Sequence, residues 1–318
     1  MKTILFALVG VATVGCGGTN GPDYIAGFDP PAPKTGYTRF VTPVVEDIEP
    51  GANIEMCQWV AAPSDKPQDV LDFTGMQSAT GHHTVLYATT ETNFKVGESH
   101  VCTTADMLSI SFVGAIAGAG ASAMSATKLP DGLYFRLPPG MALMANTHWL
   151  NATDKPVEGQ AVLDVEFTPA SDTRTIANLF ANNGDTFTIP ASGPLTYDVS
   201  CVLQQDFSFA MVTNHMHSDG TSAYSELIHA DGTKTMLSVD TAWESDEQFN
   251  PKYLMFSLDQ PMLAHKGDTY HTHCEWQNQT SSPLMFPDEM CAGVGFYFPG
   301  TQQIACDDGT WGTGTIAD

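Results

Sequence analysis

Short runs of β-branched and aromatic residues, separated by Gly, Pro, Asn and Asp, recur along the whole chain and limit what it can fold into. No stretch shows the long apolar period of 3.6 residues that marks a helix, whereas short runs bounded by turn residues are typical of β-sandwiches and jelly rolls. We therefore predict an all-β fold of β-sandwich or jelly-roll type. Strands are expected at Tyr37 to Val45, His82 to Ala88, Ala161 to Phe167, Phe207 to Thr213 and Tyr253 to Leu258.

The length of 318 residues is about twice that of one domain, which favours two. A strand-like run ends at Phe167 and gives way to turn residues, so we expect an N-terminal domain at 37–170 and a C-terminal domain at 171–318. Residues 16–36 have no apolar period and are expected to form a flexible tether. The Gly/Ala-rich run from Val113 to Ala126 is expected to be a packed loop.

The N-terminus indicates export. Residues 1–15 combine Lys2 with a short apolar run and resemble a cleaved signal peptide, because a membrane span needs about 20 apolar residues. The segment from Thr13 to Cys16 resembles a bacterial lipobox, in which Cys16 becomes lipidated. We expect a lipoprotein of the bacterial cell envelope that touches the membrane only through this anchor. Ordinary signal cleavage, which would give a secreted protein, is the alternative.

Six cysteines remain after Cys16, and in an oxidising compartment an even set predicts three disulfides, although spacing alone does not choose their pairing. The 12 basic and 36 acidic residues give a net charge of −24. Nucleic acids and anionic lipid surfaces need a basic face, so we expect neither as a partner. An acidic, well-solvated surface is typical of a secreted protein, and we expect a monomer.

The histidines are clustered: His82 and His83 are adjacent, and two H-x-H pairs occur at His215/His217 and His271/His273. Neutral imidazole is the commonest metal ligand. Residues i and i+2 of a strand share a face, so each pair can reach one ion, although a structural pair on a polar face is an equal alternative. His82 and His83 point to opposite faces of a regular strand, so joint ligation requires a strand end or a bulge, which Gly81 makes easy.

A methionine near the C-terminus, Met290, bears on the choice of metal. Most methionines fill cores, but a thioether with two imidazoles selects copper over zinc. The chain contains no H-E-x-x-H, G-x-S-x-G, P-loop or dinucleotide-binding glycine motif, which argues against the common hydrolase and nucleotide-enzyme classes.

The order of these elements resembles the copper type II, ascorbate-dependent monooxygenases, the family of peptidylglycine α-hydroxylating monooxygenase and dopamine β-monooxygenase. The resemblance extends from about Cys57 to Cys306. It rests on six motifs in order: Met56-Cys57-Gln58, Gly81-His82-His83-Thr84, Asn146-Thr147-His148-Trp149-Leu150-Asn151, Asn214-His215-Met216-His217, Gly267-Asp268 followed by Cys274, and Glu289-Met290-Cys291 with Phe296-Tyr297-Phe298-Pro299.

The resemblance implies two tandem jelly-roll domains and two copper ions, one per domain, that face each other across a cleft. His82, His83 and His148 would hold an electron-storing copper, and His215, His217 and Met290 would hold the catalytic copper. O2, ascorbate or a similar one-electron reductant, and a small organic molecule would be the substrates. The implied disulfides are Cys57–Cys102, Cys201–Cys306 and Cys274–Cys291.

The chain departs from the family at the substrate site. The peptide-hydroxylating member holds its substrate's carboxylate with an Arg, an Asn and a Tyr at the positions of Thr213, Ala292 and Val294. Peptidylglycine is therefore not the expected substrate. His271 and His273 have no counterpart in the family pattern, and we interpret them as strand residues with a metal-related role as the alternative.

Two other functions stay open at this point. A copper-binding or copper-storage lipoprotein would keep the ligands without turnover, and it would need neither an open coordination position nor paired sites facing one cleft. A plain adhesion or scaffold sandwich would carry these histidines incidentally.

Overall fold

The computed structural model describes residues 24–107, 110–117, 129–248, 251–286 and 288–314. These residues form β-strands and two short 3₁₀ helices, Thr104–Met107 and Ser245–Gln248, so the all-β prediction is confirmed. The strands are β1 Tyr37–Val41, β2 Val45–Ile48, β3 Asn53–Ala61, β4 Gln68–Gln77, β5 Gly81–Thr89, β6 Ser99–Val101, β7 Ile110–Ala117, β8 Leu133–Leu137, β9 Ala142–Leu150, β10 Val157–Gly159, β11 Ala161–Pro169, β12 Thr175–Ile176, β13 Asn178–Gly184, β14 Pro194–Val202, β15 Phe207–His215, β16 Gly220–Ile228, β17 Lys234–Asp240, β18 Leu254–Met255, β19 Met262–Ala264, β20 Thr269–Gln277, β21 Cys291–Phe298, β22 Gln303–Asp307 and β23 Thr310–Gly314.

Two main sheets form the first half of the chain. One has the strand order β1-β11-β4-β8-β12 and the other the order β6-β3-β9-β5-β7, while β2 and β10 form a separate pair. Alternate residues of these strands are apolar, and Phe73 on β4 packs in the same buried cluster as Leu86 on β5. Burying the apolar faces of both sheets stabilises this half.

The second half also contains two sheets. One has the order β18-β15-β21-β13-β22-β23, with β19 paired to β15, and the other the order β14-β20-β16-β17. Strand β20 alternates strictly between buried and partly exposed residues. Its buried Tyr270 packs with Phe180 and Phe209 of the first of these sheets.

The two halves share an apolar core. Phe296 on β21 packs against Phe112 and Phe135 of the first half, with ring centroids 5.1 Å apart in both pairs. Strand β12 lies after the expected domain boundary, yet it pairs in parallel with β8 of the first half. The expected division at 170/171 therefore falls between β11 and β12, and β12 belongs to a first-half sheet.

Three local expectations need correction. Part of the expected tether 16–36 is packed, since Phe28 is 3% exposed and lies against Met76 and Val162. The packed body therefore includes residues 24–30, whereas residues 31–36 are exposed. Of the expected loop Val113 to Ala126, residues 113–117 belong to strand β7 and residues 118–126 lie outside the described residues. Of the run Tyr253 to Leu258, only Leu254–Met255 forms a strand.

The structure contains the disulfides Cys57–Cys102, Cys201–Cys306 and Cys274–Cys291, the same pairings that the resemblance implies. Disulfides are typical of an oxidising, exported environment. The expected signal peptide at 1–15 and the expected lipidation site Cys16 lie outside the described residues. Within the described ranges, no helix is long and apolar enough to cross a bilayer.

Candidate metal centres

Three histidines of the first half, His82 and His83 of β5 and His148 of β9, lie close together at the start of β5. Their ligand nitrogens lie within 4.8 Å of one another, and no other group of His, Cys, Asp and Glu among the described residues meets this criterion. Gly81 pairs with Trp149 and His83 pairs with His148, so β5 advances two residues while β9 advances one. His82 is the extra residue of this β-bulge, which turns it toward its two partners. The bulge expected from joint ligation is thus present.

Only glycine fits at position 81 of this bulge, because a larger side chain would collide with Gln77. A Cβ at Gly81 would lie 2.4 Å from Gln77 Cβ. Gln77 cannot easily withdraw, because its Nε2 donates a hydrogen bond of 2.7 Å to the carbonyl of His83. The same contact therefore fixes both the bulge and the backbone of one ligand candidate.

The surroundings of His83 and His148 keep these two imidazoles neutral. Burial lowers the pKa of His148 to about 4, with the charge of His82 as the smaller cause. Burial, followed by the charges of His148, His82 and His215, also holds the pKa of His83 well below its ordinary value. Asn53 Oδ1 lies 2.5 Å from His148 Nε2. Because an amide oxygen only accepts, His148 is protonated at Nε2 and its Nδ1 carries the lone pair for a metal.

His215 and His217 lie where β15 ends, and their ring centroids are 5.3 Å apart. His217 lies beyond the strand rather than on its face. Its Nδ1 is 3.0 Å from the carbonyl oxygen of Asp288, so Nδ1–H donates and Nε2 keeps the lone pair. Burial lowers the pKa of His215 to about 3, with His217 as the smaller cause. The imidazole of His215 is therefore neutral.

Met290 is half-buried and directly precedes β21. Glu289, one residue earlier, accepts a hydrogen bond of 2.9 Å from the backbone N–H of His217. Ala292, two residues later, pairs with His215. The neighbours of Met290 on both sides thus contact the His215–His217 segment, and the Cys274–Cys291 disulfide joins this position to β20.

One cleft of about 530 Å³ is lined both by histidines of the first-half trio and by the pair His215 and His217. His83 and His148 lie on its first-half wall, and His215 and His217 lie on its second-half wall. Aromatic and apolar side chains cover much of the rest, and no lysine or arginine is among the described residues that line it. The remaining lining residues are Asn53, Glu55, Val85, Tyr87, Met107, Phe112, Ala115, Asn146, Thr213, Gln248, Pro251, Tyr253 and Val294.

The positions of the family's carboxylate clamp fall at this cleft. Thr213 and Val294 line it, while Ala292 is fully buried. The Thr213 hydroxyl donates to the carbonyl of Lys252 at 2.9 Å, and the Lys252 ammonium pairs with Glu247. A substrate carboxylate would therefore meet no free cation on the described walls of this cleft.

The other histidines have structural partners. His100 contacts Asp106 at 3.0 Å, His229 contacts Asp268 at 3.1 Å, and the exposed His265 lies 3.8 Å from Asp206. His271 and His273 lie on the outer face of β20, away from the cleft lining, and contact Asp198. Sequence analysis missed Asn53 and the hydrogen bonds of Glu289, since neither gives a signal before the strand register is known.

No family model matches the sequence, and no curated protein matches it. Solved structures give low-scoring similarities. The chain is similar to the major capsid protein P2 of bacteriophage PM2, with 9% identity and a TM-score of 0.31 over 82% of this chain and 97% of that one. For the exported protein XepA of PBSX, identity is 7% and the TM-score 0.22, over 84% and 88% of the two chains. Scores of this size define neither a shared fold nor a function.

Proposed function

We propose that the protein is a copper-dependent monooxygenase with two tandem jelly-roll domains, which uses O2 and a one-electron reductant such as ascorbate to hydroxylate a C–H bond of a small organic substrate. The observation that supports this most is the shared cleft. Histidines of both predicted copper sites line it, and storage of a metal requires no such pairing. The sequence motifs and the cleft therefore favour the same function.

The ligand chemistry fits copper. The first set offers three imidazoles, and the second offers two imidazoles together with Met290, whose chain neighbours contact the His215–His217 segment; imidazoles with a thioether select Cu(I). Bound copper would supply the one-electron redox steps and oxygen activation that no side chain provides. The chain's own residues orient the ligands, since Asn53 fixes the tautomer of His148 and the Asp288 carbonyl fixes that of His217.

The cleft walls position the substrate. Tyr87, Phe112, Tyr253 and Val294 offer apolar and aromatic surface next to the histidines. Burial raises the pKa of Tyr253 to about 12, so its phenol stays protonated and can donate a hydrogen bond. These walls suit an apolar or aromatic substrate and would exclude water from the reacting atoms. In the cell we place the protein in the bacterial envelope, held through a lipid on Cys16.

The proposal predicts separable losses of metal and activity. Met290→Ala should leave about one of two copper ions bound and lower ascorbate-dependent O2 consumption by at least about 100-fold, because it removes a ligand of the second site only. His82→Ala should leave the second site filled and interrupt electron supply. Metal analysis and oxygen uptake of both variants check this.

The matched control is Met285→Ala, since Met285 precedes the same segment and is 49% exposed. It should retain both copper ions and full activity. If Met290→Ala behaved like Met285→Ala, Met290 would be core filler and the second site would be refuted.

A further inference from the structure

A second group of histidines and carboxylates lies on the outer face of the β14-β20-β16-β17 sheet. His271 and His273 point outward from β20, because its buried residues alternate with them. Asp198 of β14 pairs with His273 on one side, and Glu226 of β16 pairs with His271 on the other. Three adjacent strands therefore bring this outer cluster together.

Each imidazole has one nitrogen toward the centre of the outer cluster and one toward its edge. At the centre, Asp198 Oδ1 lies 3.0 Å from His271 Nε2 and 2.8 Å from His273 Nδ1. At the edge, Glu226 Oε1 lies 3.2 Å from His271 Nδ1, and Glu275 Oε1 lies 3.3 Å from His273 Nε2. The Glu275 contact is a hydrogen bond, whereas the Glu226 contact has ion-pair distance without hydrogen-bond geometry. A carboxylate that accepts the outer N–H of a histidine is the usual support of a metal ligand.

The charges of the outer cluster call for a divalent cation. Asp198, Glu226 and Glu275 carry three negative charges, and Lys234, 2.7 Å from Glu226, supplies one positive charge. With neutral imidazoles the sum is −2. Asp198 Oδ1 lies within hydrogen-bond distance of both inner nitrogens, so a divalent cation bound there would take the place of the protons that they share.

We propose that His271 Nε2, His273 Nδ1 and the Asp198 carboxylate bind one divalent transition-metal ion of the Zn²⁺ type. Two imidazoles and a carboxylate with a water molecule form a common zinc ligand set. The inner nitrogens lie farther apart than those of the cleft trio, so the ion draws the two rings together by side-chain rotation. Asp198 is 58% exposed, which leaves the site open to solvent.

This site is independent of the cleft. None of its residues lines the cleft, and the proposal holds whether or not the protein is a monooxygenase. Glu226 and Glu275 act as positioning residues, because they touch the histidines and not the ion. Replacing either residue is expected to lower the affinity for the metal rather than to abolish metal binding.

The test is Zn²⁺ binding by the full chain, measured as equivalents bound after equilibrium dialysis against ZnCl2 and as affinity by calorimetry. The variant His271→Ala/His273→Ala should bind one equivalent fewer than wild type, whatever the cleft binds. Glu226→Gln and Glu275→Gln should each weaken this equivalent by about 10- to 100-fold. The control His265→Ala, which removes an exposed histidine near Asp206, should lose nothing.

Asp198→Asn provides a second variant that keeps the side-chain shape, in case the double variant folds poorly. It should lose the same equivalent while its melting temperature without zinc stays near that of wild type. Equal zinc stoichiometry in wild type, His271→Ala/His273→Ala and Asp198→Asn would overturn the proposal. The outer cluster would then be a protonated ion-pair network.

Discussion

Glu289 links the residues of the second candidate metal centre through one side chain. Its buried carboxylate accepts hydrogen bonds from the backbone N–H groups of His217 and Asp219 and from the indole of Trp276, at 2.9, 2.7 and 3.0 Å. Burial raises the pKa of Glu289, although these hydrogen bonds oppose the shift. The carboxylate thus joins the histidine segment to the residue before Met290.

Glu289→Gln is expected to loosen this connection. An amide has one accepting oxygen, so its NH2 group would face at least one N–H donor, at a cost of about 1 to 3 kcal/mol. We expect a lower free energy of unfolding in urea and weaker metal retention at the second site, with the first site unaffected. Glu49→Gln, at an exposed position, is the control. Unchanged metal content in both variants would contradict this role.

The adjacent and alternate histidines could be recognised as candidate ligands from their spacing, whereas His148 and Met290 were assigned as ligands only through the family resemblance. Gly81 before His82 also indicated the bulge. The partners were not predictable, because Asn53 reaches His148 only through the register of β3 against β9. The same holds for Asp198, which meets His271 and His273 only through the pairing of β14 with β20.

At the scale of elements, an ion-pair cluster fastens the segment between β11 and β12 to the first half. Asp69 on β4 is fully buried and contacts Arg136 at 2.6 Å and Arg174 at 2.9 Å. The backbone N–H of Ser171 also donates to it, at 3.0 Å. Burial alone would raise the pKa of Asp69, but these hydrogen bonds outweigh it and hold the pKa below its ordinary value.

This cluster predicts a pH dependence of stability. The folded pKa of Asp69 is depressed, so its contribution is present above the unfolded pKa of about 3.9 and is lost as the pH falls through the folded pKa. Asp69→Asn should lower the free energy of unfolding by about 1.5 to 3 kcal/mol at pH 7, and by less below pH 4. Urea titrations at pH 7 and pH 3 measure the difference.

The control for this prediction is Asp172→Asn, because Asp172 is fully exposed and lies 3.8 Å from Arg136. A surface ion pair of this kind contributes little, so the variant should match wild type at both pH values. An Asp69→Asn variant as stable as Asp172→Asn at pH 7 would show that the cluster has no stabilising role.

At the scale of the whole molecule, the shared core fixes the walls of the cleft, and the acidic surface affects which molecules approach it. The packing of Phe296 against Phe112 and Phe135 holds the two walls together. A net charge of −24 repels anions that approach from solvent. A substrate with a free carboxylate is therefore disfavoured both on approach and on binding.

We expect turnover of apolar or aromatic compounds without a carboxylate to exceed that of a glycine-extended peptide. Loss of a charged partner typically costs about 2 to 5 kcal/mol, on the order of 30-fold or more in kcat/KM. The measurement compares the peptide, its uncharged amide and phenethylamine-like compounds, with copper-loaded protein and ascorbate. Efficient hydroxylation that depends on the peptide carboxylate would contradict the expectation.

The bulge at His82 has a consequence for protein engineering. A grafted His-His pair in a regular strand would send one ring to each face, and only one would reach a partner such as His148. A designer who wishes to transplant this site must therefore carry over the backbone irregularity, the glycine that permits it and the glutamine that holds it. Substituting histidines alone into another sheet would reproduce the composition of the centre without its geometry.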